Sequence, residues 1–314
     1  MNNPFPLSDD NKRYHTFNYF LRHNFGSKVF KVSLNAGFTC PNIDGTKGFG
    51  GCTYCSDSGS GDFAGNPKDN ILKQFYEVKN MMHHKWHDAK YIGYFQAHTN
   101  TYAPLQQLQA VYEPILDEEN VVGLSIATRA DCISDEVLDY LEEINKRTFL
   151  MVELGLQSVN DETGNRINRC HTYNDFLDGY NRLRQRGIRV CVHVINGLPN
   201  ETKEDMLNTV KTISQLDIFS IKIHLLHVIK GTVIEKQFLN GDFSELSLED
   251  YVQIVCDQLE LLPKEVVVQR VTGDGNKETL VSPLWSLKKF VVMNEIDKEM
   301  VRRNSYQGIK YKKL

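Results

Sequence analysis

The stretch at residues 40–55, CPNIDGTKGFGGCTYC, decides how the rest of this chain is interpreted. It places Cys40, Cys52 and Cys55 within 16 residues, separated by eleven residues and then by two. Four glycines lie between the first two cysteines, and glycine weakens both helices and strands because it loses the most backbone freedom on folding. The apolar, alternating run at residues 29–34 just before it is typical of a strand. The sequence therefore predicts a cysteine loop at the exit of a strand, curled around a group that the thiolates hold.

Outward from this loop, apolar strands and helices alternate about six times. The predicted strands cover residues 29–34, 91–96, 121–127, 149–156, 188–195 and 219–226, and the helices between them cover residues 69–87, 105–116, 134–146, 173–186 and 203–216. The strands are apolar on both faces, which indicates a parallel sheet covered by helices. Six units are fewer than the eight of a closed barrel, so a doubly wound sheet and an incomplete barrel both fit this periodicity.

The two ends of the chain depart from this rhythm. Residues 1–28 are predicted to form an N-terminal extension with a short helix at residues 11–23, and residues 29–230 form the core. After Gly231 the pattern predicts a helix at residues 248–262, an extra strand at 266–271 and one or two helices at 283–303. We therefore expect residues 231–314 to be a C-terminal accessory segment of mixed α and β structure.

Composition narrows the class of protein. The chain has 314 residues, of which 41% are hydrophobic and 24% charged, as in ordinary globular proteins. A net charge of −4 argues against a chain built as a whole to bind nucleic acid. The N-terminus lacks the features of a signal peptide, and no apolar run approaches the ~18 residues of a membrane span, so a cytoplasmic protein without a membrane partner is expected. Residues 301–314 carry five basic and no acidic side chains, predicting a solvated tail or, alternatively, a patch that steers a polyanion.

The three clustered cysteines fit two inorganic sites. In a four-iron cluster, three thiolates would leave one iron open to a further ligand. A zinc site normally takes four protein ligands when structural, and His15 or His23 is a candidate for the fourth. The spacing alone leaves both sites open. The remaining cysteines are scattered singly and are interpreted as small buried side chains: Cys132, Cys170, Cys191 and Cys256.

The cysteine loop and the repeated strand–helix units together resemble the radical S-adenosylmethionine (SAM) superfamily. Most members space their cysteines CxxxCxxC, and the longer first gap found here is shared, in kind, by the group of the elongator catalytic subunit. ATRAD at residues 127–131 is similar to that group's Glu-Thr-Arg-Pro-Asp, and three further motifs agree in order: ELGLQS at 153–158, RINRCHT at 166–172 and HVINGLP at 193–199. The resemblance covers residues 29–226 and points to a small bacterial, elongator-like subgroup.

This resemblance implies an α/β fold, an incomplete (β/α)6 TIM-like barrel with helices outside. It also implies that Cys40, Cys52 and Cys55 hold a [4Fe–4S] cluster whose open iron binds SAM. By motif position, the cofactor-binding residues would be Tyr54, Gln96, Arg129, Glu153, Gln157, Arg169, His193 and Gly197. The superfamily's Gly-Gly-Glu motif is absent, and Gln96 or Asn100 is the candidate to replace it. Ala127 stands where the elongator group has an acidic residue, which puts one ribose contact in doubt.

Other polar residues are weighed from their positions. Lys222 and His224 alternate on the sixth strand and would be catalytic if that face points inward, or simply polar if the strand lies at an edge. Arg270 is as consistent with a structural salt bridge as with contact to an anion of the substrate. The histidine-rich run at residues 83–87 is interpreted as solvated helix surface.

The elongator-like kinship implies tRNA as partner and its wobble uridine as substrate. The concrete form would be removal of the carboxymethyl part of a carboxymethylaminomethyl group on carbon 5, leaving an aminomethyl group. A 5′-deoxyadenosyl radical from SAM would start this reaction. An external electron donor is expected as a further partner, and DNA is not. Two alternatives remain: a radical enzyme for a small molecule such as a tetrapyrrole precursor, and a non-catalytic metal-binding module.

Overall fold

The computed structural model describes residues 3–57, 59, 64–83 and 86–313. Its strands are β1 Val29–Leu34, β2 Lys90–Phe95, β3 Val121–Thr128, β4 Phe149–Gln157, β5 Arg189–Asn196, β6 Ser220–Leu225, β7 Val228–Ile229, β8 Val267–Arg270 and β9 Leu280–Ser282. Its helices are α1 Phe17–Phe25, α2 Ile71–His83, α3 Leu105–Leu116, α4 Asp135–Arg147, α5 Asp161–Arg166, α6 Tyr173–Gln185, α7 Lys203–Ile213, α8 Val233–Leu239, α9 Leu248–Leu261 and α10 Lys289–Arg302, with a 3₁₀ turn at Leu284–Leu287. Among the described helices, none combines the length and apolarity needed to cross a bilayer.

Seven parallel strands form one sheet in the order β1-β2-β3-β4-β5-β6-β8. The sheet is curled into a half-barrel with the helices outside, which confirms the predicted incomplete TIM-like barrel. From β1 to β6 the order along the sheet follows the order in the chain, whereas a doubly wound sheet reverses direction at a switch point. The doubly wound alternative is therefore excluded.

The accessory segment contributes the seventh strand. The extra strand predicted at residues 266–271 is β8, which pairs parallel with β6 through Ser220↔Val267 and Ile221↔Val268. Its strand β9 pairs antiparallel with β7, which lies just before the segment, and the sequence predicted neither of these strands. The boundary proposed at residue 231 between core and accessory segment stays a prediction.

Helix ends follow capping chemistry. Ser134 accepts a hydrogen bond from the Val137 amide and begins α4, as predicted. The first helix starts later than the predicted residue 11, because the Thr16 side chain caps its amino end. It ends at Gly26, which has a left-handed conformation. The sequence missed α5 and α8, which are only six and seven residues long and too short to show a clear period.

Aromatic side chains close the amino end of the half-barrel. Phe20 of α1 packs edge-on against Phe219, with ring centroids 4.9 Å apart, and also contacts Phe149 at 6.0 Å. Phe149 begins β4 and Phe219 immediately precedes β6, so α1 lies beneath the amino ends of the strands. A ligand must therefore approach from the opposite end, where the carboxyl ends of the strands lie.

The basic C-terminal tail lies at this closed end. Arg302 and Arg303 both pair with Glu299, and Lys310 pairs with Glu260. The tail also donates hydrogen bonds to carbonyl oxygens just before β8, at the amino end of that strand. Three of the five basic side chains of the tail are thus paired with carboxylates, at the end of the half-barrel remote from the cysteine loop. The alternative of a patch that steers a polyanion toward the site finds no support here.

Candidate functional site

A cavity of about 290 Å³ opens at the carboxyl ends of the strands. Its wall combines the cysteine loop with residues from strands β2 to β8, so distant parts of the chain meet there. Twelve of the thirteen predicted site residues line it: Cys40, Cys52, Tyr54, Cys55, Gln96, Arg129, Glu153, Gln157, Arg169, His193, Lys222 and His224. Parallel α/β folds place their sites at this end of the sheet, which explains the convergence.

Gly197 is the predicted site residue that does not line this cavity. Its φ of 85° is left-handed, which favours glycine. Its amide donates to Met206 Sδ at 3.2 Å, and an added Cβ would lie 3.2 Å from Leu246 Cδ1. This glycine allows a tight turn after β5, and its contact with a cofactor stays a prediction.

Glycines shape the cysteine loop as the sequence suggested. Gly45, Gly50 and Gly51 have φ between 74° and 89°, a region that other residues rarely adopt. Gly48 is required for a different reason, because a Cβ there would lie 2.3 Å from Asn42 Oδ1. The loop is thus tightly curled, with its backbone too close to its own side chains for larger residues.

Two asparagines hold the loop against the segment after α5. Asn42 Nδ2 donates to the Asn168 carbonyl oxygen and approaches Cys52 Sγ at 3.6 Å. Asn168 Nδ2 in turn donates to the Gly51 carbonyl oxygen at 2.7 Å. These bonds fix the position of the cysteines relative to the RINRCHT motif, and sequence reasoning missed both asparagines because side-chain amides are common in any loop.

The chemistry of the donor set fits an iron–sulfur cluster. All seven cysteines lie in the described part of the chain and none forms a disulfide. A hydrogen bond from Cys55 lowers the pKa of the Cys52 thiol to about 7, although burial acts in the opposite direction. Cys52 therefore ionises near neutral pH, and the thiolate is the form that binds metal.

The histidines considered for zinc lie elsewhere. His15 Nδ1 contacts the Glu265 carbonyl oxygen at 3.2 Å, just before β8, and His23 Nδ1 contacts the Tyr19 carbonyl oxygen within α1. Both histidines are at the closed amino end of the half-barrel. Neither can complete a four-ligand zinc site with the cysteine loop.

The two predicted arginines are strongly engaged by the protein. Arg129 forms a bidentate pair with Asp131, both distances being 2.9 Å, and donates to the Arg169 carbonyl oxygen at 2.7 Å. Arg169 is 1% exposed and donates to the carbonyl oxygens of Leu156 and Ser158. Both guanidinium groups therefore fasten the RINRCHT segment to β3 and β4, and their contact with SAM stays a prediction.

Gln157 is aimed by an irregularity at the end of β4. The register between β4 and β5 shifts between Gly155 and Gln157, and Gln157 has a left-handed φ of 67°. A Cβ on Gly155 would lie 2.9 Å from Gln157 Nε2, so the glycine makes room for this side chain. Gln157 Oε1 is buried and has no hydrogen-bond partner within the described residues, which fits an acceptor awaiting a ligand.

The structure separates the two candidates for the missing Gly-Gly-Glu motif. Gln96 follows β2 and lines the cavity. Asn100 is fully buried outside the cavity wall, where its Nδ2 donates to the carbonyl oxygens of Phe95, Ala97 and Ala127. Gln96 is therefore the better placed of the two.

A buried carboxylate organises the floor of the cavity. Glu153 is fully buried and pairs with the ammonium groups of Lys31 and Lys222. It also accepts from Ser125 Oγ at 2.5 Å and contacts His193 Nε2 at 2.7 Å. Lys222 points into the barrel, so the edge-strand alternative is wrong, while its catalytic role stays a prediction.

Lys31 was missed by sequence reasoning, although a signal was present. It lies on β1 between Phe30 and Val32, whose side chains pack on the helices. In such a strand an alternating lysine points into the barrel, where it requires a partner.

The two lysines share one carboxylate and differ in protonation. Burial lowers the pKa of Lys31 to about 7 in spite of Glu153. Burial also acts to lower the pKa of Lys222, but Glu153 and Tyr94 outweigh it and raise that pKa above its ordinary value. Burial would raise the pKa of Glu153, yet Lys222 and Lys31 hold it well below the usual range. At neutral pH the floor therefore carries an ionised Glu153 and a charged Lys222.

The histidines at the site are neutral. Burial lowers the pKa of His193 to about 4, with a further contribution from Lys222. Burial also lowers the pKa of His224 well below its ordinary value, and the neighbouring His193 acts in the same direction. Their ring centroids lie 5.1 Å apart. Each ring thus offers one N–H donor and one acceptor nitrogen at neutral pH.

Comparison with known proteins agrees with this geometry. The model of the Radical SAM superfamily matches residues 45–213, which is more than half of the chain, and that of the Radical SAM C-terminal domain matches residues 218–302. The chain belongs to the radical SAM superfamily. The matched span includes Cys52 and Cys55, whereas Cys40 lies just before it.

This radical SAM protein is similar to whole proteins and to parts of larger ones. It is 55% identical over 313 residues to Uncharacterized protein YtqA of Bacillus subtilis, covering 100% of this chain and 97% of that protein. It is 25% identical over 173 residues to a tRNA uridine(34) acetyltransferase of Methanocaldococcus infernus, covering 54% of this chain and 32% of that enzyme. The structure of an archaeal Elp3 from Methanocaldococcus infernus, with an N-terminal deletion, shares the fold with a TM-score of 0.67 at 18% identity, covering 90% of this chain and 64% of that one.

These comparisons identify a radical SAM superfamily enzyme of the Elp3-like kind. Membership implies SAM and a [4Fe–4S] cluster, the two groups for which the cavity and the three-thiol loop are suited. The similarity to the acetyltransferase covers only a third of that enzyme's length.

Proposed function

We propose that this protein holds a [4Fe–4S] cluster on Cys40, Cys52 and Cys55 and remodels a carbon-5 substituent on the wobble uridine of tRNA. The concrete reaction would convert a carboxymethylaminomethyl group to an aminomethyl group. Loss of a hydrogen atom to the 5′-deoxyadenosyl radical, of one electron returned to the cluster and of a proton would turn the N–CH2 bond of the substituent into an imine, and water would hydrolyse the imine to the amine and glyoxylate. The observation that carries the proposal is the convergence of three groups on one cavity: the three thiols, the buried Glu153–Lys222 pair, and Gln157 Oε1, which has no partner among the described residues. The similarity to an enzyme named for uridine 34 of tRNA supports the choice of substrate.

The resident groups would supply the radical and the protein would supply its surroundings. When bound, the cluster and SAM provide one-electron cleavage of the sulfonium and abstraction of a hydrogen atom from the substrate. Tyr54 lies between the paired cysteines in the cavity wall, and Gln96 and Gln157 offer polar groups from two other strands. These residues would orient the methionine, ribose and adenine parts of SAM against the loop.

The cavity floor would hold the reacting end of the substrate in a fixed, partly dry environment. Lys222 is 6% exposed and donates to the Tyr94 hydroxyl at 2.9 Å, so its ammonium is positioned from two sides. His224 lies two residues further along β6, nearer the opening, and its imidazole is neutral. A neutral imidazole there can accept a proton from an amine or donate a hydrogen bond to it.

An open mouth fits a base presented by a nucleic acid. A wobble base swung out of its stack could enter at the carboxyl ends of the strands, because α1 blocks only the amino end. The helices lie on the outer face of the half-barrel, so the cavity stays accessible.

Mass spectrometry of modified nucleosides tests the proposal. A strain lacking the gene should accumulate wobble uridine with the larger, acid-terminated substituent and lose the aminomethyl form. The wild-type gene and a Cys132→Ser variant should restore the profile, because Cys132 does not line the cavity, and a Cys52→Ser variant should not. An unchanged nucleoside profile in the deletion strain would refute the tRNA proposal.

A biochemical assay tests the chemistry separately. Anaerobic reconstitution with iron and sulfide, followed by reductant and SAM, should release 5′-deoxyadenosine from the wild-type protein. Release without any nucleoside change would leave a radical enzyme with another substrate. Absence of both would leave a metal-binding module without catalysis.

A further inference from the structure

Apart from His224, the wall of the cavity opposite the cysteine loop has no role in the proposal so far. It is built from the end of β6, the end of β8 and the segment at residues 271–276. Arg270, His224 and His227 lie in this wall, beside Gly273 and Asp274. We call Arg270, His224 and His227 the distal wall.

Arg270 points into the barrel and retains unused donors. It is the register partner of Lys222 on the neighbouring parallel strand, so both side chains lie on the inner face. Within the described residues its guanidinium makes one hydrogen bond, from Nη2 to Asp274 Oδ2 at 3.2 Å. A guanidinium has five N–H donors, so most of them are available to a ligand. Arg129 and Arg169, by contrast, use most of their N–H donors in hydrogen bonds to the protein itself.

The two histidines of the distal wall lack the partners that buried nitrogens normally have. His224 Nε2 and His227 Nε2 are both buried without a hydrogen-bond partner in the described part of the chain. The His227 ring is held against Gly273, where an added Cβ would lie 3.1 Å from His227 Cε1. Two unpartnered nitrogens beside a guanidinium with spare donors indicate a ligand that accepts hydrogen bonds.

The balance of charge favours an anion. The fixed cations near the distal wall are Arg270, Lys222 and Lys289, and the fixed anions are Glu153 and Asp274. Lys289 pairs with Asp274 at 2.6 Å, so Asp274 is shared between that lysine and Arg270. One positive charge is left in excess, in a partly buried site where charges are weakly screened.

We propose that Arg270, His224 and His227 form a subsite that binds a carboxylate of the substrate and so selects a substituent ending in an acid. This inference rests on the proposed function, in which the group to be removed ends in a carboxylate. Arg270 would give the bidentate pair for which guanidinium and carboxylate are matched, and one N–H from each histidine would complete the contact. A substituent that has lost its acid would bind weakly here, which would release the product.

A small probe tests the subsite without tRNA. N-benzylglycine carries the same N-substituted glycine end on a flat ring, and its methyl ester is the match that lacks the carboxylate. Reconstituted full-length protein with SAM and no reductant should bind the acid at least about tenfold more tightly than the ester, as measured by ligand-observed NMR titration. Arg270→Gln should remove this preference and Arg270→Lys should restore part of it. Lys277→Gln removes a charge from an exposed position of the following segment and should keep the preference.

Two outcomes would overturn the subsite. These are equal affinity of the wild type for acid and ester, and an unchanged preference in Arg270→Gln. Loss of SAM binding together with that unchanged preference would assign the arginine to the carboxylate of SAM.

A second titration separates this inference from the proposed function. It uses an anticodon stem-loop whose wobble uridine carries either the carboxymethylaminomethyl group or its methyl ester. A preference for the acid probe without binding of either stem-loop would keep the subsite and refute the tRNA substrate. Conversion of the stem-loop with equal affinity for acid and ester would keep the substrate and refute the subsite.

Discussion

Replacing Glu153 with glutamine tests whether the buried carboxylate organises the cavity floor. Glutamine has nearly the same shape, and it can still accept from Ser125 through Oε1 and donate to the neutral His193 ring through Nε2, but it carries no charge. Lys222 would then be a buried ammonium, 6% exposed, without its carboxylate. The variant therefore isolates the charge of Glu153 from its volume.

The expected cost follows from the burial of the pair. Removing one partner of a buried ion pair typically costs about 3–5 kcal/mol, because the remaining charge is left without compensation. Lys31 limits the loss, since its pKa of about 7 lets it give up its proton when the carboxylate charge is gone. Lys222 keeps its charge, so we expect a decrease in the free energy of unfolding of about 3 kcal/mol at pH 7. In Glu113→Gln the lost partner is Arg147 at the surface, with 48% of the arginine side chain exposed, and the decrease should stay below about 1 kcal/mol.

Urea unfolding followed by circular dichroism and by fluorescence measures both variants. A double-mutant cycle with Lys222→Met should show that much of the loss in Glu153→Gln depends on Lys222. The folded pKa of Glu153 lies below its unfolded value, so its contribution is complete above about pH 4.3 and is lost as the pH falls further. A free energy of unfolding within about 1 kcal/mol of wild type at pH 7, or a coupling near zero, would show that the carboxylate is not what holds the floor together.

Three further predictions concern the loop, the floor and the cofactor contacts. Cys52→Ser should lower the iron and sulfide bound after reconstitution from about four of each per chain to below about one, whereas Cys132→Ser should leave both unchanged. Lys31→Met should abolish a rise in the free energy of unfolding that wild type shows between about pH 7 and pH 10. The folded state has lost that lysine's proton in this range and the unfolded state has not, so raising the pH favours folding; parallel pH curves for the two proteins would contradict the assignment. Gln157→Ala should weaken SAM binding about 3- to 10-fold in equilibrium dialysis, since it removes a buried acceptor, while the exposed Gln107→Ala should bind SAM as wild type does.

The sequence predicted the scaffold well because its signals are local. Strands apolar on both faces predicted the parallel sheet, and the Ser134 cap predicted the start of α4. The glycines between the cysteines predicted a curled loop, and their left-handed φ values explain the curl. The histidine-rich run at residues 83–87 falls partly on residues 84 and 85, which lie outside the described residues.

The partners of charged side chains were harder to predict, because they depend on which distant segments meet. Arg129 and Arg169 are predicted to bind the cofactor, and the structure shows donors of both engaged by the Asp131 and Asp161 carboxylates and by carbonyl oxygens of the chain. Lys31 and Glu153 are 122 residues apart and pair only because β1 and β4 face the same interior. The C-terminal basic residues likewise find acidic partners on the helix before them and on α9, which composition alone cannot show.

The use of arginine divides the cavity into two functional halves. On the side of the cysteine loop, Arg129 and Arg169 use their hydrogen-bond donors to fix the backbone. Recognition of a ligand there therefore relies on thiols, amides and shape. On the distal wall, Arg270 keeps most of its donors, and two buried histidine nitrogens have no partner within the described residues. A rigid half suits a cofactor that must be held in one geometry for every turnover. A half with unused donors suits a substrate that must bind and leave, because its groups complete hydrogen bonds that the protein alone leaves open. Lys222 lies at the boundary between the two halves. It pairs with Glu153 on β4 and is the register partner of Arg270 on β8, so a negative charge bound at the distal wall acts electrostatically on the Glu153–Lys222 pair.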